Sequence, residues 1–449
     1  MTSISTIVQN NKRLLRSIAS IVLIKGAAVL VALLTIPAYM AYFSDNTVLG
    51  IWYSMLSILN LVVSFDLGLG NGLRNKLAYA LEEGDEEGVR GYVSSSYIIV
   101  GIVSVAACIL SFLVFPHIEW SVFFNIGSDD IKSSTLLLSV QVVFLGLMLQ
   151  FSLKLIFSIL YAQQRSELIN ATLLVSNTLV LVFVLVFPHA MPDDALLSLS
   201  VFYSVAINIP VLVLTLTVFS GSFRQYIPSP RCFDLSKAKA VLTLGLSFFF
   251  VQAAALVIGN TNEILITWFS DPADVVDYQI YYRIFSLFVT LFNLLTIPIW
   301  SAATQKLAQG NYSWIRKCHL LLLLIAAGLV LVMFALVPFL QAIVNIWLTG
   351  NSIVISPLFG LVFVVATGCI LFNGASCCIA NGLSLLKMQT VLLTIGGVAN
   401  IPLAWFFIST TGSWIGVEVA NAISLLPVCV GQPIYLQKRI RKMEKETMR

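Results

Sequence analysis

Twelve long apolar segments constrain the fold of this chain more than any other feature of its sequence. A helix that rises about 1.5 Å per residue needs roughly 20 apolar residues to cross the hydrocarbon core of a bilayer. The 449 residues are 59% hydrophobic and only 10% charged, whereas about a quarter of an ordinary soluble domain is charged. The sequence therefore predicts an all-α membrane protein with twelve transmembrane helices, at residues 17–42, 48–69, 93–115, 134–161, 168–187, 196–219, 241–269, 278–303, 319–340, 357–380, 388–408 and 414–436.

Basic residues between these segments indicate the orientation of the chain. Lys and Arg collect in cytoplasmic loops, and with twelve spans nearly all of them fall on one side, while Lys132 falls on the other. Both termini are therefore predicted to be cytoplasmic. The basic tail at residues 438–445 has two interpretations: it anchors this topology, or it binds the anionic headgroups of membrane lipids.

Short internal matches predict two lobes. Residues 42–45 (YFSD) resemble residues 268–271 (WFSD), and residues 76–78 (KLA) recur at 306–308, at offsets of 226 and 230 residues. Because six spans return the chain to the same side, the repeats would be parallel, an architecture of transporters. We expect two six-helix lobes around a central cavity: residues 1–222, a cytoplasmic linker at 223–240, and residues 241–449 with the basic tail.

Charged residues inside the first-lobe spans are candidates for a substrate site, because a charge at the bilayer centre costs about 2.5 to 3.5 kcal/mol and usually faces a cavity or a partner. Lys25 and Lys154 lie roughly 12 Å and 10 Å from the cytoplasmic ends of their helices, and Asp66 lies somewhat shallower. We expect the two lysines to bind a diphosphate, with Asp66 balancing their charge in the empty site. Snorkelling of the lysines to the interface is the alternative.

A second charged group, Glu263, Arg283 and Glu418, lies toward the outer side of the second lobe. Buried charges usually find partners, so we expect Glu263 and Arg283 to form a structural salt bridge. The spare carboxylate then predicts a charge-balancing or gating site that binds Na⁺ or a proton, unless the group engages substrate. Pro37 and Pro298 interrupt long helices and are predicted hinge points.

Several functions are not expected. The sequence has no GxxxxGK[ST] nucleotide-binding loop and no HExxH or other metal-ligand spacing, so we predict no ATPase site, no metal and no cofactor. The basic residues mark topology and form no groove for nucleic acid. No outer loop is long enough for a catalytic domain, which counts against a membrane-embedded polymerase or ligase, so we predict that the chain is not an enzyme.

Residues 65–75 (FDLGLGNGLRN), with residues 49–52 (LGIW) and 93–96 (VSSS) beside them, resemble O-antigen and other polysaccharide flippases. These are the Wzx-type members of the multidrug, oligosaccharidyl-lipid and polysaccharide (MOP) exporter superfamily. The resemblance implies that undecaprenyl-diphosphate-linked oligosaccharide moves from the cytoplasmic to the periplasmic leaflet of a bacterial inner membrane by alternating access, with a polysaccharide polymerase as a further partner. The alternative is a cation-coupled multidrug exporter of the same superfamily.

Overall fold

The computed structural model describes residues 24, 26–43, 45–64, 69–126, 131–163, 165–187, 191–348, 353–383 and 385–447. Regular structure in these residues is helical throughout. The helices are α1 (Gly26–Tyr42), α2 (Asn46–Ser64), α3 (Leu69–Glu83), α4 (Glu86–Val114), α5 (Trp120–Phe123), α6 (Ser133–Leu153), α7 (Leu155–Ala162), α8 (Ser166–Val186), α9 (Pro192–Ser220), α10 (Leu235–Asn260), α11 (Asn262–Phe269), α12 (Asp274–Ala308), α13 (Tyr312–Leu336), α14 (Leu340–Trp347), α15 (Pro357–Gly382), α16 (Lys387–Thr411) and α17 (Gly416–Thr447).

The helices coincide with the predicted spans. Eight helical segments of the described chain are long and apolar enough to cross a membrane by length and composition, and they contain α4, α6 with α7, α8, α9, α13 with α14, α15, α16 and α17. The four other predicted spans fall on α1, α2, α10 with α11, and α12. The chain is an all-α, multi-pass membrane protein. Within the described residues three predicted spans are interrupted: the fourth at Lys154, the seventh at Thr261, and the ninth, near its end, by a 3-10 turn at Val337–Phe339.

The chain divides into two compact units, one up to Phe249 and one from Phe250 onward, and the division falls inside α10. Unit 1 is held together by small and polar residues as well as by apolar packing. A Cβ at Gly146 of α6 would come within 2.5 Å of the Ser204 side chain on α9, and Asn208 Nδ2 donates to the Gly146 carbonyl at 2.8 Å. Such small residues let helix backbones approach closely in membranes.

The segment between α9 and α10 is fixed to the start of α4 within unit 1. The Ser95 hydroxyl donates to the Asp234 carbonyl at 3.1 Å and accepts from the Asp234 N–H at 2.9 Å. Ser94 accepts from the Ser229 N–H at 3.1 Å, and Lys237 Nζ donates to the Glu87 carbonyl at 3.1 Å. These contacts supply hydrogen-bond partners to the backbone of a segment that lies outside the α-helices.

Replacing Ser95 with alanine should lower the melting temperature of the purified protein, because the N–H and C=O of Asp234 both lose a partner. An unsatisfied polar group costs about 1 to 3 kcal/mol when it is fully buried, and less here because Asp234 is half-buried. Ser96→Ala is the matched control, since the Ser96 hydroxyl is buried without a hydrogen-bond partner in the described chain. Thermal melting in detergent measures both variants, and equal melting temperatures would show that Ser95 does not hold this segment.

Unit 2 packs α15 against α12, α13 and α17, and α16 against α17. Aromatic rings gather at one end of it: Tyr281 stacks on Phe363 at 5.3 Å, and Phe359 meets Trp414 edge-on at 5.2 Å. The Tyr281 hydroxyl accepts from the Ser356 N–H at 2.7 Å. Trp414 lies two residues before the start of α17, so this cluster fixes the position of the first turn of that helix.

Candidate functional site

Lys154 lies at the junction of α6 and α7 in unit 1 and is half-buried. Its N–H donates to the Gln150 carbonyl at 2.8 Å, as in a continuous helix, but its own carbonyl accepts from the Phe157 N–H at 2.9 Å, three residues on. This tighter turn separates the two helices. The structure thus places Lys154 at a helix break within the fourth predicted span.

Polar side chains tie α6 to its neighbours on both sides of this span. Gln150 Nε2 donates to the Ile207 carbonyl of α9 at 3.3 Å, and the hydroxyls of Ser152 and Ser104 are 2.9 Å apart. Buried polar groups keep hydrogen-bond partners in native structures. The helix that carries Lys154 is therefore positioned by specific contacts to α4 and α9.

Lys25 and Asp66, the other two residues of the predicted diphosphate site, lie outside the described residues. The joint action of Lys25 and Lys154 stays a prediction. Pro37 and Pro298 lie within α1 and α12, and both helices continue past them, so their hinge role is also a prediction.

A network of buried amides lies in unit 2, where the seventh predicted span is broken. Thr261 separates α10 from α11, and the adjacent Asn262 donates from Nδ2 to the Tyr278 hydroxyl at 2.9 Å. Asn421 of α17 donates to Asn262 Oδ1 at 3.2 Å, and Asn400 of α16 donates to Asn421 Oδ1 at 2.9 Å. Side chains from four helices therefore meet at one point inside unit 2.

Glu418 joins this network from the first turn of α17. Its side chain is buried, with 5% of the residue exposed, and its Oε1 accepts from Asn421 Nδ2 at 3.3 Å. The helix N-terminus contributes a partial positive charge beside the carboxyl group. Glu418 is thus a buried acid with an amide partner. Binding of a proton or a cation there would neutralise its charge.

Glu418 also faces a cavity of about 330 Å³ within unit 2. Amides, hydroxyls and one carboxylate share its wall with aromatic and aliphatic side chains. Carboxylate and carbonyl oxygens are the ligands of hard cations. Among the described residues no group of three or more His, Cys, Asp and Glu could hold a metal ion. The polar residues of the wall are Asn262, Tyr282, Ser286, Thr290, Thr367, Asn373, Glu418 and Asn421.

The salt bridge expected between Glu263 and Arg283 is not among the ion pairs of the part of the chain that the structure describes. Glu263 Oε1 accepts from Gln279 Nε2 at 2.8 Å instead. Gln279 and Arg283 are four residues apart on α12, so they share a face, and the amide one turn earlier takes the position facing Glu263. Arg283 Nε is buried without a hydrogen-bond partner in these residues.

The amide network was not predicted from the sequence, where only charged residues inside the spans marked candidate sites. Asn262, Asn400 and Asn421 each lie inside an apolar span, and Asn is itself costly in hydrocarbon without a partner. That shared signal was present in the sequence. It did not say which amides meet, since Asn262 and Asn421 are 159 residues apart.

Comparison with known proteins identifies the family of this chain. A family model described as "Polysaccharide biosynthesis protein" matches residues 14–303. A Salmonella typhi protein described as a candidate O-antigen transporter is 22% identical over 425 residues, covering 90% of this chain and 89% of the relative. An uncharacterized membrane protein of Methanocaldococcus jannaschii is also 22% identical, over 87% of this chain and 77% of the relative.

Solved structures of the MOP superfamily share the fold. An inward-facing multidrug resistance MATE transporter superimposes with a TM-score of 0.66 at 15% identity, covering 93% of this chain and 96% of that one. An outward-facing one gives a TM-score of 0.58 at 16% identity, covering 94% and 97%. The family resemblance inferred from residues 65–75 is confirmed, and so is the all-helical membrane fold, which these MOP-superfamily structures share.

Proposed function

Because the chain belongs to the polysaccharide biosynthesis protein family, we propose that it is a flippase for a polyprenyl-diphosphate-linked oligosaccharide. The family match over residues 14–303 carries this proposal, and the MOP-type fold over more than nine-tenths of the chain supports it. The fold supports a role in transport, and the family match supports a role in polysaccharide biosynthesis. Catalysis of bond formation is not part of the proposed role.

The charge pattern supports a direction and a route. With both termini cytoplasmic in a bacterial inner membrane, Lys25 and Lys154 would lie in the cytoplasmic half of unit 1. A lysine binds phosphate as a point charge on a flexible stem, so it can follow a moving headgroup. The sugar head would pass by alternating access of the two units, while the polyprenyl tail stays in lipid and avoids about 0.8 kcal/mol per exposed methylene.

A disruption strain tests the proposal. Cells without the protein should accumulate lipid-linked repeat units that remain on the cytoplasmic leaflet, and surface polysaccharide should disappear until the intact gene is restored. The measurement is the accessibility of the lipid-linked sugar to a periplasmic ligase or to an impermeant glycosidase. Normal surface polysaccharide in the disrupted strain would refute the function. Loss of polymer with normal flipping would point to a role with the polymerase instead.

Glu418 is the residue at which we place ion coupling. Its buried carboxyl group and the cavity beside it, whose wall carries further amide and hydroxyl groups, suit Na⁺ or a proton. We expect Glu418→Gln to abolish the stimulation of transport by an imposed ion gradient, because the glutamine amide is neutral at all pH values. Reconstituted vesicles with Na⁺ or pH gradients measure this. Glu119→Gln, an exposed acid of unit 1, is the control, and retained stimulation in Glu418→Gln would place coupling elsewhere.

A multidrug exporter is the second candidate, favoured by the solved relatives of this fold. Cationic drugs require buried carboxylates, and Glu418 in unit 2 is one. Susceptibility of the disruption strain to dye cations separates the two functions. Increased susceptibility with intact surface polysaccharide would favour drug export.

A further inference from the structure

The last helix continues well beyond its membrane span. The twelfth predicted span ends at Leu436, yet α17 continues to Thr447, which adds roughly 16 Å of helix at 1.5 Å per residue. This extension carries most of the basic residues of the tail. They are Lys438, Arg439, Arg441, Lys442 and Lys445.

One face of the extension is fixed to unit 2. Leu436 and Ile440 are fully buried, and Gln437 Nε2 donates to His319 Nδ1 of α13 at 2.9 Å. Two turns further on, Glu444 Oε2 lies 3.7 Å from Arg316 Nη1, also of α13. The extension is therefore a packed helix whose rotation about its own axis is set by α13.

The opposite face is a cationic stripe formed by Lys438, Arg441, Lys442 and Lys445, all of which are exposed. With 3.6 residues per turn, these four positions fall within an arc of about 100°, centred opposite Leu436 and Ile440. In the described chain only Lys442 of the stripe has an ion pair, with the exposed Glu446 at 3.7 Å. Glu444 is a second acid that could neutralise the stripe, but it forms an ion pair with Arg316.

We propose that the cationic stripe binds the phosphate groups of anionic lipids in the bilayer around the protein. Its first residue lies within one turn of the end of the predicted span, at the depth of the headgroups, which extend roughly 5 to 8 Å beyond the hydrocarbon core. The outer residues remain close to the Debye length of about 8 to 10 Å at physiological salt. Each basic residue near an anionic surface contributes about 1 kcal/mol.

Charge complementarity favours lipid over an acidic protein. The same end of unit 2 carries three more lysines, one each in α12, α13 and α16, so its net charge is positive and the four charges of the stripe are its densest part. Topology anchoring requires only that charges be present in the segment. A stripe on the free face of a fixed helix is instead a defined binding surface. The three residues are Lys306, Lys317 and Lys387.

The binding test uses the full-length protein in a neutral detergent with fluorescent short-chain lipids. Wild-type protein should bind phosphatidylglycerol in preference to phosphatidylcholine, with an affinity that falls as salt rises. The triple variant Lys438→Gln, Arg441→Gln and Lys445→Gln should bind phosphatidylglycerol about a hundredfold more weakly, from about 1 kcal/mol per residue. The matched triple variant Lys306→Gln, Lys317→Gln and Lys387→Gln changes net charge equally and should retain most of the binding.

Three results would overturn this proposal. Equal losses in the two triple variants would mean that net charge alone attracts the lipid. Soluble glycerol phosphate binding as tightly as the lipid would mean that the phosphate alone is recognised and not the lipid, and tighter binding of an acidic peptide would indicate a protein partner. Lys438→Arg with Lys445→Arg keeps the charge and should keep the binding, which separates loss of charge from misfolding. None of these outcomes depends on what the protein transports.

Discussion

Replacing Lys154 with alanine should slow flipping of the lipid-linked oligosaccharide by about tenfold to a hundredfold. A hydrogen bond to a charged group contributes about 1.5 to 3 kcal/mol, and each 1.4 kcal/mol is a factor of ten. The residue sits at the α6–α7 break, half-buried within the fourth predicted span. Lys154→Arg should restore part of the rate, because it returns the charge with a different geometry.

The control for this prediction is Lys132→Ala, at the other end of the same helix. Lys132 is exposed and precedes the first turn of α6, so its loss removes one positive charge without touching the proposed site. Flipping is measured in complemented disruption strains at matched protein levels. An unchanged rate in Lys154→Ala would remove this residue from the mechanism, and equal slowing in both variants would indicate a general effect of charge.

Replacing Gly396 with alanine should separate or destabilise the contact between α16 and α17. A Cβ at this position would lie 2.4 Å from the Ser424 carbonyl oxygen and 3.2 Å from the carbonyl carbon. Both belong to helix backbone, which cannot move aside as a flexible side chain can. Overpacking of this kind costs about 1 to 3 kcal/mol, and we expect the melting temperature to fall by several degrees.

Gly328→Ala in α13 is the matched control, because no atom lies within 4 Å of the added Cβ. Alanine is a better helix former than glycine by up to about 1 kcal/mol, so this variant should melt at the wild-type temperature or above it. Gly416→Ala should behave like Gly396→Ala, since its Cβ would lie 2.4 Å from the Ile408 backbone nitrogen. Equal melting of the Gly396 and Gly328 variants would contradict the close helix approach.

The positions of the helices were predictable, because hydropathy is a local property that is summed over about 20 neighbouring residues. The breaks at Lys154 and Thr261 were not. Both interrupt predicted spans that are mainly apolar, and no proline lies beside either break. Tertiary hydrogen bonds, such as the one from Asn262 to Tyr278, stabilise such a break. No local sequence pattern encodes them.

The candidate site, like the helices, was only partly predictable from the sequence. Glu418 was predicted as a functional acid because a carboxyl group inside a span needs a reason to be there. Its partner was not predicted, and Arg283 was expected to pair with Glu263, whereas Gln279 occupies that place. Spacing along a helix tells which residues share a face, and it leaves open which of two neighbours on that face reaches the facing helix.

The sequence by itself determined that this chain spans a membrane many times, which loops carry positive charge, and to which family it belongs, because each is written in residues close together in the chain. Only the tertiary structure decided that Asn421 bonds to Asn262, Asn400 and Glu418 at once, and that the tail presents one cationic face. Those arrangements depend on contacts between residues far apart in sequence, whose geometry exists only after the helices have packed.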